Sequence, residues 1–482
     1  MRMFQPVGHI IGRLSAALGI AMLPPALADW TDGAPSWTGI LIAALITTAS
    51  GFALAVLTGG DRSKGLDRRQ AILLTVLVWV VLPIYGALPF MLGAPNATFT
   101  NAFFEAMSGL TTTGATTFEG LQEAPRGMLL WRAMLQWFGG VGIVVFAMVF
   151  LPALKIGGMQ FFRTEGFDVT GDILPRAVEV SGQLGIIYLI LTVACTLGYT
   201  LSGMETFDAI CHAMTTVSTG GMGNYDDGFD GFSPAAHYVA VLFMWLAALP
   251  FIRFIQLGRG RARPLLQDSQ IRAFVIILLG ATTAMVIWLV IQHKQAPSIA
   301  IREALFNASS VMTGTGYATD DYSTWGGFPV ALFIMLALIG GCTGSTACSA
   351  KVFRYQILFS ALRIQLQRIH SPHGVYALRY QGRPVDADVL SSVMGYFLVF
   401  AGALVVWAIL LSATGMDAIS SISGSVAALA NLGPGLGPEI GPGGNYANVG
   451  PLAKWILAMG MLLGRLEFMS VLVLLTPLFW RK

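Results

Sequence analysis

The stretch Ser310-Val311-Met312-Thr313-Gly314-Thr315-Gly316-Tyr317 ends a segment that occurs four times in this chain. Residues 303–316 align without a gap to residues 101–114 and to residues 208–221, and a more divergent copy lies at residues 417–435. In the three close copies a short, mostly apolar stretch runs into glycine, serine or threonine. Internal repetition is a stronger guide to architecture than a single short motif, so the sequence predicts four related structural units.

Each repeated segment is too short to cross a lipid bilayer, because it holds roughly half of the ~20 apolar residues that a spanning helix needs. It can enter the membrane and return, and irregular backbone at that depth must line a water-filled cavity or be buried in protein. Four such half-helices around one axis would direct the negative ends of their dipoles at a cation, and carbonyl oxygens would replace its water shell. The alternative is four ordinary loops, rich in glycine and threonine, outside the membrane.

The run of small residues that ends each segment is the candidate cation-binding site. Thr-Gly-Thr-Gly-Tyr at residues 313–317 is close to the pattern of potassium-selective filters. The predicted ion-binding residues, unit by unit, are Thr111, Thr112 and Thr113; Ser218, Thr219 and Gly220; Thr313, Gly314 and Thr315; and Leu432, Gly433 and Pro434. Unit four has proline where the others have threonine or glycine, so the filter is expected to be asymmetric and its preference for K+ over Na+ stays open.

The composition is that of a polytopic membrane protein. Of 482 residues, 55% are apolar and 11% are charged, and the mean hydropathy is +0.69. Soluble domains carry roughly 25% charged residues, so little of this chain can form one. The cysteines form no CxxC pair and are expected to be buried free thiols rather than disulfides or a metal centre; they are Cys195, Cys211, Cys342 and Cys348.

Apolar stretches around the four segments predict ten full spans. Two come first, near residues 7–27 and 37–57, and each unit adds one span before and one after its segment. These eight spans are expected at residues 71–92, 128–154, 184–201, 235–257, 271–292, 328–362, 389–411 and 452–479. The predicted fold is an all-α polytopic membrane protein in which four helix–pore helix–helix units surround a central pore.

The chain therefore divides into an extension of two N-terminal transmembrane helices and four pore units. The extension covers residues 1–65, unit one 66–160, unit two 161–262, unit three 263–384 and unit four 385–482.

Charged residues in the connections define two faces. The basic face holds Arg62, Lys64, Arg68, Arg69, Lys155, Arg163, Arg176, Arg259, Arg261, Arg263, Lys351, Arg354, Arg363, Arg368, Arg379, Arg383, Arg481 and Lys482. The acidic face holds Asp29, Asp32, Glu119, Glu123, Asp226, Asp227, Asp230, Asp320, Asp321 and Glu439. The excess of Lys and Arg predicts that the basic face and both termini are cytoplasmic. All four segments open to the acidic face, where carboxylates either concentrate cations at a pore mouth or are simply solvated.

The second span of unit three contains a cluster of small residues where the other units have helix formers. The cluster comprises Gly340, Gly341, Cys342, Thr343, Gly344, Ser345 and Thr346. Glycine inside a helix costs up to ~1 kcal/mol, so the helix is expected to break here, near the middle of the membrane. The predicted role is a flexible gate across the inner pore. The alternative is close helix packing, for example of Gly340 with Gly344.

Arg465 lies in the second span of unit four, where a charged residue is a functional candidate by default. Glu467 is two residues away and faces another side of a helix, so Arg465 needs a different partner. A filter carbonyl or the loop at residues 340–349 could serve. A fixed positive charge below a cation filter would raise the barrier to permeation. The alternative is a structural pair that locks unit four to its neighbour.

Several motifs together carry a family resemblance. They are Asn-Leu-Gly-Pro-Gly-Leu-Gly at residues 431–437, Met-Leu-Leu-Gly-Arg-Leu-Glu at 461–467, Gly-Gly-Cys-Thr-Gly-Ser-Thr at 340–346, Phe-Gly-Gly-Val-Gly at 138–142 and Leu-Thr-Pro-Leu-Phe-Trp-Arg at 475–481. Through them the chain resembles the TrkH/TrkG branch of the Trk/Ktr/HKT potassium-transport superfamily over nearly its whole length.

The resemblance implies gated, channel-like potassium uptake across a bacterial inner membrane. It implies that K+ binds in the filter without an organic cofactor, that the unit-three loop gates and that Arg465 lies near the permeation path. It further implies a homodimer, surrounded by membrane lipid, with cytosolic TrkA-like nucleotide-binding regulatory subunits on its inner face. The basic loops at residues 259–263 and 351–383 are suitable docking ground for those subunits.

Two other functions are compared with a pore. Secondary transport of K+ coupled to H+ or Na+ would favour inverted repeats, whereas these repeats share one orientation. A membrane enzyme finds little support, because the sequence contains no HExxH, GxSxG or Walker lysine motif. Asp208 and His212 lie one turn apart on a half-helix but lack a nucleophile or metal partner. We expect no enzymatic activity and no nucleic-acid partner.

Overall fold

A computed structural model describes residues 4–59, 66–150, 158–159, 161 and 173–481. Most of these residues are helical, and the others form turns, irregular segments and one short hairpin. Five residues expected on the basic face lie outside the described residues: Arg62, Lys64, Lys155, Arg163 and Lys482.

The helices follow the predicted order of two spans and four units. The extension contains α1 (Phe4–Ile20), α2 (Leu23–Thr31) and α3 (Trp37–Leu57). Unit one contains α4 (Arg68–Gly86), α5 (Leu88–Leu92), the pore helix α6 (Phe99–Leu110) and α7 (Arg126–Val145), which continues as a π-helical turn at Phe146–Phe150. Unit two contains α8 (Ile173–Leu201), the pore helix α9 (Thr206–Val217), α10 (Pro234–Ala248) and α11 (Phe251–Gly258).

Units three and four complete the chain. Unit three contains α12 (Arg263–Gln267), α13 (Ser269–Gln292), the pore helix α14 (Pro297–Thr313), α15 (Gly327–Ile339) and α16 (Val352–His370), followed by an antiparallel hairpin of β1 (Arg379–Tyr380) and β2 (Arg383–Pro384). Unit four contains α17 (Ala387–Ala413), the pore helix α18 (Ala418–Ala430), α19 (Pro451–Arg465), α20 (Met469–Leu475) and α21 (Pro477–Trp480). Short 3-10 turns lie at Leu121–Glu123 and Tyr322–Trp325.

The described helices provide enough apolar length for a multi-span protein. Seven are long and apolar enough to cross a membrane, and the count among the described residues rises to nine if each of two bent helix pairs is one span. The tenth predicted span, the second of unit three, is divided into α15 and α16 by residues 340–351. The interruption expected at the small-residue cluster is therefore present.

The second helices of units two and four, expected as full spans at residues 235–257 and 452–479, are also interrupted. α10 and α11 meet at an angle of 91°, and α19 and α20 at 111°. In unit two, Pro250 has no N–H to continue the helix, and Leu249 before it is extended, with ψ 154°. In unit four, Glu467 and Phe468 have φ values of 56° and 45°, which a right-handed helix does not contain.

The pore helices lie in the interior, at backbone contact with their neighbours. All residues of α6 from 102 to 110 are buried, as are all residues of α18 from 423 to 430. A side chain on Gly139 of α7 would overlap the carbonyl oxygen of Leu110, and one on Gly464 of α19 would overlap that of Leu429. Gly139 and Gly464 therefore allow the second helices of units one and four to contact the backbone at the ends of two pore helices.

Candidate ion-binding site

Each pore helix ends in the same backbone turn. One residue per unit is left-handed there: Thr112 (φ 50°), Thr219 (50°), Gly314 (79°) and Asn431 (53°). The next N–H bonds to the carbonyl five residues earlier: Thr113 to Ser108, Gly220 to Thr215 and Thr315 to Ser310 at 2.9 Å, and Leu432 to Ala427 at 2.8 Å. This is the Schellman arrangement, which closes a helix end and turns the chain away. Four different sequences therefore share one geometry.

The shared turn corrects the register of unit four. Asn431 occupies the position of Thr112. The expected equivalence of Leu432, Gly433 and Pro434 with the other three sets is therefore wrong by two residues. Asparagine tolerates the left-handed conformation nearly as glycine does, so it completes the turn without resembling the other units in sequence. Asn431 is consequently a site residue that the sequence comparison missed.

The four turns meet in a closed ring that follows chain order. The ring glycines are Gly114, Gly221, Gly316 and Gly433. A β-carbon at Gly114 would overlap Gly220 O, and one at Gly221 would overlap Thr315 O. A β-carbon at Gly316 would lie 3.0 Å from Gly433 N, and one at Gly433 would lie 3.0 Å from Gly114 O. Each contact joins one unit to the next, and the fourth returns to the first. Of the twelve predicted ion-binding residues, Pro434 alone is half-exposed and the others are buried.

Side-chain oxygen atoms are concentrated in the ring. Thr111 Oγ1 and Thr113 Oγ1 are 2.8 Å apart in unit one, and the equivalent pair in unit three is 2.7 Å apart. At two left-handed positions, Thr112 Oγ1 and Asn431 Oδ1 are buried without a hydrogen-bond partner. An unsatisfied buried oxygen is unfavourable, and both side chains lie against second helices: a side chain on Gly139 would lie 3.1 Å from Thr112 Cγ2, and one on Gly464 would lie 2.9 Å from Asn431 Oδ1.

One ring carbonyl is already hydrogen bonded to a side chain that the sequence analysis did not single out. Gln136 of α7 donates through Nε2 to Gly220 O at 2.7 Å and accepts through Oε1 from Met222 N at 3.1 Å. Gln136 is completely buried. The signal that could have identified it is a lone amide in an apolar span, since polar residues at that depth need a partner.

A cavity of about 300 Å³ lies over the ring on the acidic face. Its wall includes the four ring glycines and the carboxylates of Glu119, Asp226 and Asp227. Asp226 also accepts from the Gly120 N–H at 2.8 Å, and Glu119 accepts from the Asn445 amide at 3.2 Å. Two of these carboxylates therefore tie loops of different units together in addition to lining the cavity.

The loop at residues 340–351 is held by the broken helix of unit two. Cys342 N donates to Ala248 O at 3.1 Å, and Thr346 donates to Ala247 O through N at 3.3 Å and Oγ1 at 3.0 Å. Because the helix breaks at Pro250, these carbonyls lack their usual helical partners. The loop N–H groups replace those partners, so backbone groups left free by the break in unit two are hydrogen bonded to backbone groups left free by the break in unit three.

The same loop lies against the ring and is fully enclosed. Residues 340–348 are all buried. A side chain on Gly314 would lie 3.7 Å from Cys348 N, which places the loop next to the unit-three turn. Gly344 accepts from Phe251 N at 2.9 Å, and Thr343 N donates to Gln270 Oε1 at 2.9 Å. The predicted gate residues therefore form an ordered, enclosed segment rather than an open loop.

Arg465 contacts this loop rather than a filter carbonyl. Its guanidinium is buried, donates to Cys348 Sγ, and lies 3.5 Å from both Thr346 O and Gly139 O. The ring of Trp79 is 5.8 Å away. One side chain of unit four thus contacts the loop of unit three and the second helix of unit one.

Glu467 pairs with unit three. Its carboxylate contacts the Arg354 guanidinium and lies 3.6 Å from Lys351 Nζ. Arg354 and Glu467 are both buried, so this pair locks the break of unit four to the start of α16. The alternative considered for Arg465 is a structural pair between unit four and its neighbour. The buried pair that is present joins Glu467 to Arg354, whereas Arg465 contacts the loop.

Comparisons with known proteins agree over almost the whole chain. Residues 40–481 match the TrkH family model, described as a cation transport protein. The Trk system potassium uptake protein TrkI of Halomonas elongata is 38% identical over 100% of this chain and 98% of its own. TrkH of Escherichia coli K12 is 37% identical over 99% of this chain and 100% of its own. The crystal structure of the potassium transporter TrkH from Vibrio parahaemolyticus superposes with a TM-score of 0.91 at 36% identity, covering 99% of this chain and 100% of that one.

Proposed function

This chain belongs to the TrkH family of cation transport proteins, and from that premise we propose that it takes up potassium through a pore built by its four pore-helix ends. The observation that carries the proposal is the closed ring, in which four equivalent turns meet below a cavity. Relatives that cover the full chain are named potassium uptake proteins. K+ is therefore the proposed substrate, with ring oxygens as its ligands.

The proposed ion-binding residues follow the corrected register. They are Thr111, Thr112, Thr113, Ser218, Thr219, Gly220, Thr313, Gly314, Thr315, Ala430, Asn431 and Leu432. The unit-four turn contributes no hydroxyl group, and Gly220 O already accepts from Gln136. The ring is therefore chemically asymmetric, so we expect selectivity for K+ over Na+ below that of a symmetric filter.

We further propose that the loop at residues 340–346 and Arg465 form the gate. The loop is buried against the ring at Gly314, and Arg465 adds a positive charge beside it. A buried cation whose described contacts are a thiol, carbonyls and a ring repels K+ more strongly than one neutralised by a carboxylate. Opening requires the loop to leave its hydrogen bonds to Ala247 and Ala248.

Channel-like flow is preferred to transport coupled to H+ or Na+. The repeats share one orientation, whereas alternating access is typically built from inverted repeats. Reversal potentials of the purified protein in liposomes, under separate K+, Na+ and pH gradients, test this choice. We expect the potential to follow the K+ gradient alone. A reversal potential that also shifts with the H+ or Na+ gradient in a fixed ratio would indicate coupled transport instead of a pore.

The proposed setting is a bacterial inner membrane with both termini in the cytoplasm. The Lys and Arg distribution supports this orientation, and the basic residues Arg259, Arg261 and Arg263 are exposed. A homodimer and a TrkA-like nucleotide-binding subunit on the basic face are proposed as partners. The docking surface is the loop at residues 259–263 and the exposed part of residues 351–383, which excludes Lys351 and Arg354 because both are buried. Crosslinking from introduced cysteines on these loops to a co-expressed regulatory subunit tests that docking.

A further inference from the structure

In every unit, one polar side chain of the pore helix holds the strand that leaves the ring. The bonded atoms are Glu105 Oε2 with Thr117 N (2.9 Å), His212 Nε2 with Asn224 N (3.4 Å), Asn307 Oδ1 with Thr319 N (3.3 Å) and Ser423 Oγ with Leu436 N (2.9 Å). In each bond the side chain accepts and the backbone N–H donates. We call these four hydrogen bonds the strand clamps.

The strand clamps occupy equivalent positions although their chemistry differs. The four donors, Thr117, Asn224, Thr319 and Leu436, each lie three residues beyond the ring glycine. Three acceptors lie seven residues before the left-handed residue of their turn. In unit four that position is Gly424, and Ser423, one residue earlier, accepts instead. A carboxylate, an imidazole, an amide and a hydroxyl thus perform one task.

The strand clamps supply hydrogen-bond acceptors to backbone N–H groups of the strand that follows the ring. The four donor residues are buried and belong to no helix or sheet, so their N–H groups require acceptors elsewhere. An unsatisfied N–H would favour rotation of its own peptide group, and the strand is short enough to pass that movement to the ring glycine three residues earlier. Resting on the proposed function, we propose that Glu105, His212, Asn307 and Ser423 are positioning residues that fix the filter backbone and thereby its ion selectivity.

Unit one adds a second tie that links its clamp to unit two. Arg132 Nε donates to Glu105 Oε1 at 2.8 Å, and its NH1 group donates to Gly223 O at 2.7 Å. Gly223 directly precedes the clamp donor of unit two. Both Glu105 and Arg132 are buried, so the pair transmits the position of one strand to the next.

The clamp of unit two works only with neutral histidine. His212 Nδ1 lies 2.9 Å from Asp208 O, which can only accept, so Nδ1 carries the hydrogen and Nε2 is the bare acceptor for Asn224 N–H. Protonation at Nε2 would set two donors against each other. Acid should therefore weaken this clamp while leaving the amide and hydroxyl clamps intact.

The charged and titratable neighbours of His212 are few among the described residues. Asp208 on the same helix accepts from Asn224 at 2.8 Å and from the Tyr225 hydroxyl at 2.7 Å. This hydrogen bond, together with burial, raises the pKa of Tyr225 to about 12, so its proton is retained. Arg132 from α7 is the neighbouring cation, bonded to Gly223 O at 2.7 Å, and the Tyr317 ring lies 6.2 Å from the imidazole.

Exchange of one clamp for another tests the proposal. His212→Asn installs the acceptor that unit three uses at the equivalent position, and His212→Leu removes the acceptor at similar size. Both proteins are purified, their melting temperatures compared with the native protein, and K+/Na+ permeability ratios measured in liposomes. We expect His212→Asn to keep the native ratio and His212→Leu to lower it roughly tenfold, since a buried N–H is left unpaired.

The pH profile supplies an independent readout. The permeability ratio of the native protein should fall as the external solution is acidified, whereas that of His212→Asn should not. Ser423→Ala, which removes one small hydroxyl, repeats the test in unit four if His212→Leu does not fold. Native selectivity in folded His212→Leu, or in folded Ser423→Ala, would overturn the clamp. Absence of K+ conduction by the native protein would instead overturn the proposed function.

Discussion

At the residue scale, the ring depends on positions that have no side chain. Gly221 has φ +75°, and a methyl group there would overlap Thr315 O of the next unit. Gly280 on α13 is a matched control, because a methyl group there meets no atom within 4 Å. The two positions therefore separate the effect of ring geometry from the effect of a substitution in a membrane helix.

We predict that Gly221→Ala abolishes potassium flux or its preference over sodium. The alanine methyl group would overlap Thr315 O, so either the turn of unit two or that of unit three must change its backbone conformation. Gly280→Ala should conduct like the native protein. Flux of K+ and Na+ from liposomes provides the measurement. Unchanged discrimination in Gly221→Ala would show that the ring is not the filter.

Arg465 is the other single residue with a clear expected effect. Its guanidinium contacts Cys348 and Thr346 of the loop and Gly139 of α7. Arg465→Ala should raise basal K+ flux, by about tenfold if the lost barrier is near 1.4 kcal/mol. The measurement is initial K+ efflux per protein from liposomes. Native flux with a lowered melting temperature would indicate that Arg465 is a structural contact only.

At the element scale, the interrupted second helices explain how an irregular loop stays ordered inside the membrane. The break at Pro250 leaves carbonyls at Ala247 and Ala248, and the unit-three loop donates to both. Thr346 adds a hydroxyl bond to Ala247 O at 3.0 Å, whereas the hydroxyl of Thr343 is buried without a partner. Two threonines in one loop therefore differ in a single hydrogen bond.

We predict that Thr346→Val raises basal K+ flux about fivefold, because removing one hydrogen bond of ~1 kcal/mol weakens the closed position of the loop. Thr343→Val is the control and should leave flux unchanged, since its hydroxyl stabilises nothing in the closed loop. Both are compared by K+ efflux from liposomes at equal protein density. Equal effects of the two substitutions would argue against a gate held at Ala247.

At the scale of the whole molecule, ties between units keep the four turns on one axis. The Glu105–Arg132 pair and its bond to Gly223 join units one and two. Tyr446 joins unit four to unit one through its N–H to Thr116 O at 2.8 Å. Because these contacts are buried and link distant parts of the chain, losing one should affect the stability of the assembly as a unit.

We predict that Arg132→Gln lowers the free energy of unfolding by ~3–5 kcal/mol, because it leaves Glu105 buried without its charged partner. Arg126→Gln is the matched control. Arg126 pairs with Asp32 and Glu205, but 47% of its side chain is exposed, so its loss should change stability by ~0–1 kcal/mol. Denaturation of the two proteins in detergent gives the comparison, and equal stabilities would contradict the structural role of the buried pair.

Features that depend on local composition and on repetition could be predicted without coordinates. Apolar stretches and the repeated segment specify a multi-span protein of four units, because burial in lipid acts on each stretch separately. The break at Gly340 is equally local, since clustered glycine disfavours a helix wherever it occurs. The candidate ring residues in units one to three follow from the same repetition.

The contacts between particular atoms could be identified only in the folded chain. Asn431 belongs to the ring because of its backbone conformation. The guanidinium that pairs with Glu467 is that of Arg354, not that of Arg465. The strand clamps use four different chemical groups, so no residue pattern identifies them. Such contacts join residues far apart in the chain, and their partners are selected by distance and by the need to satisfy buried polar groups rather than by residue type.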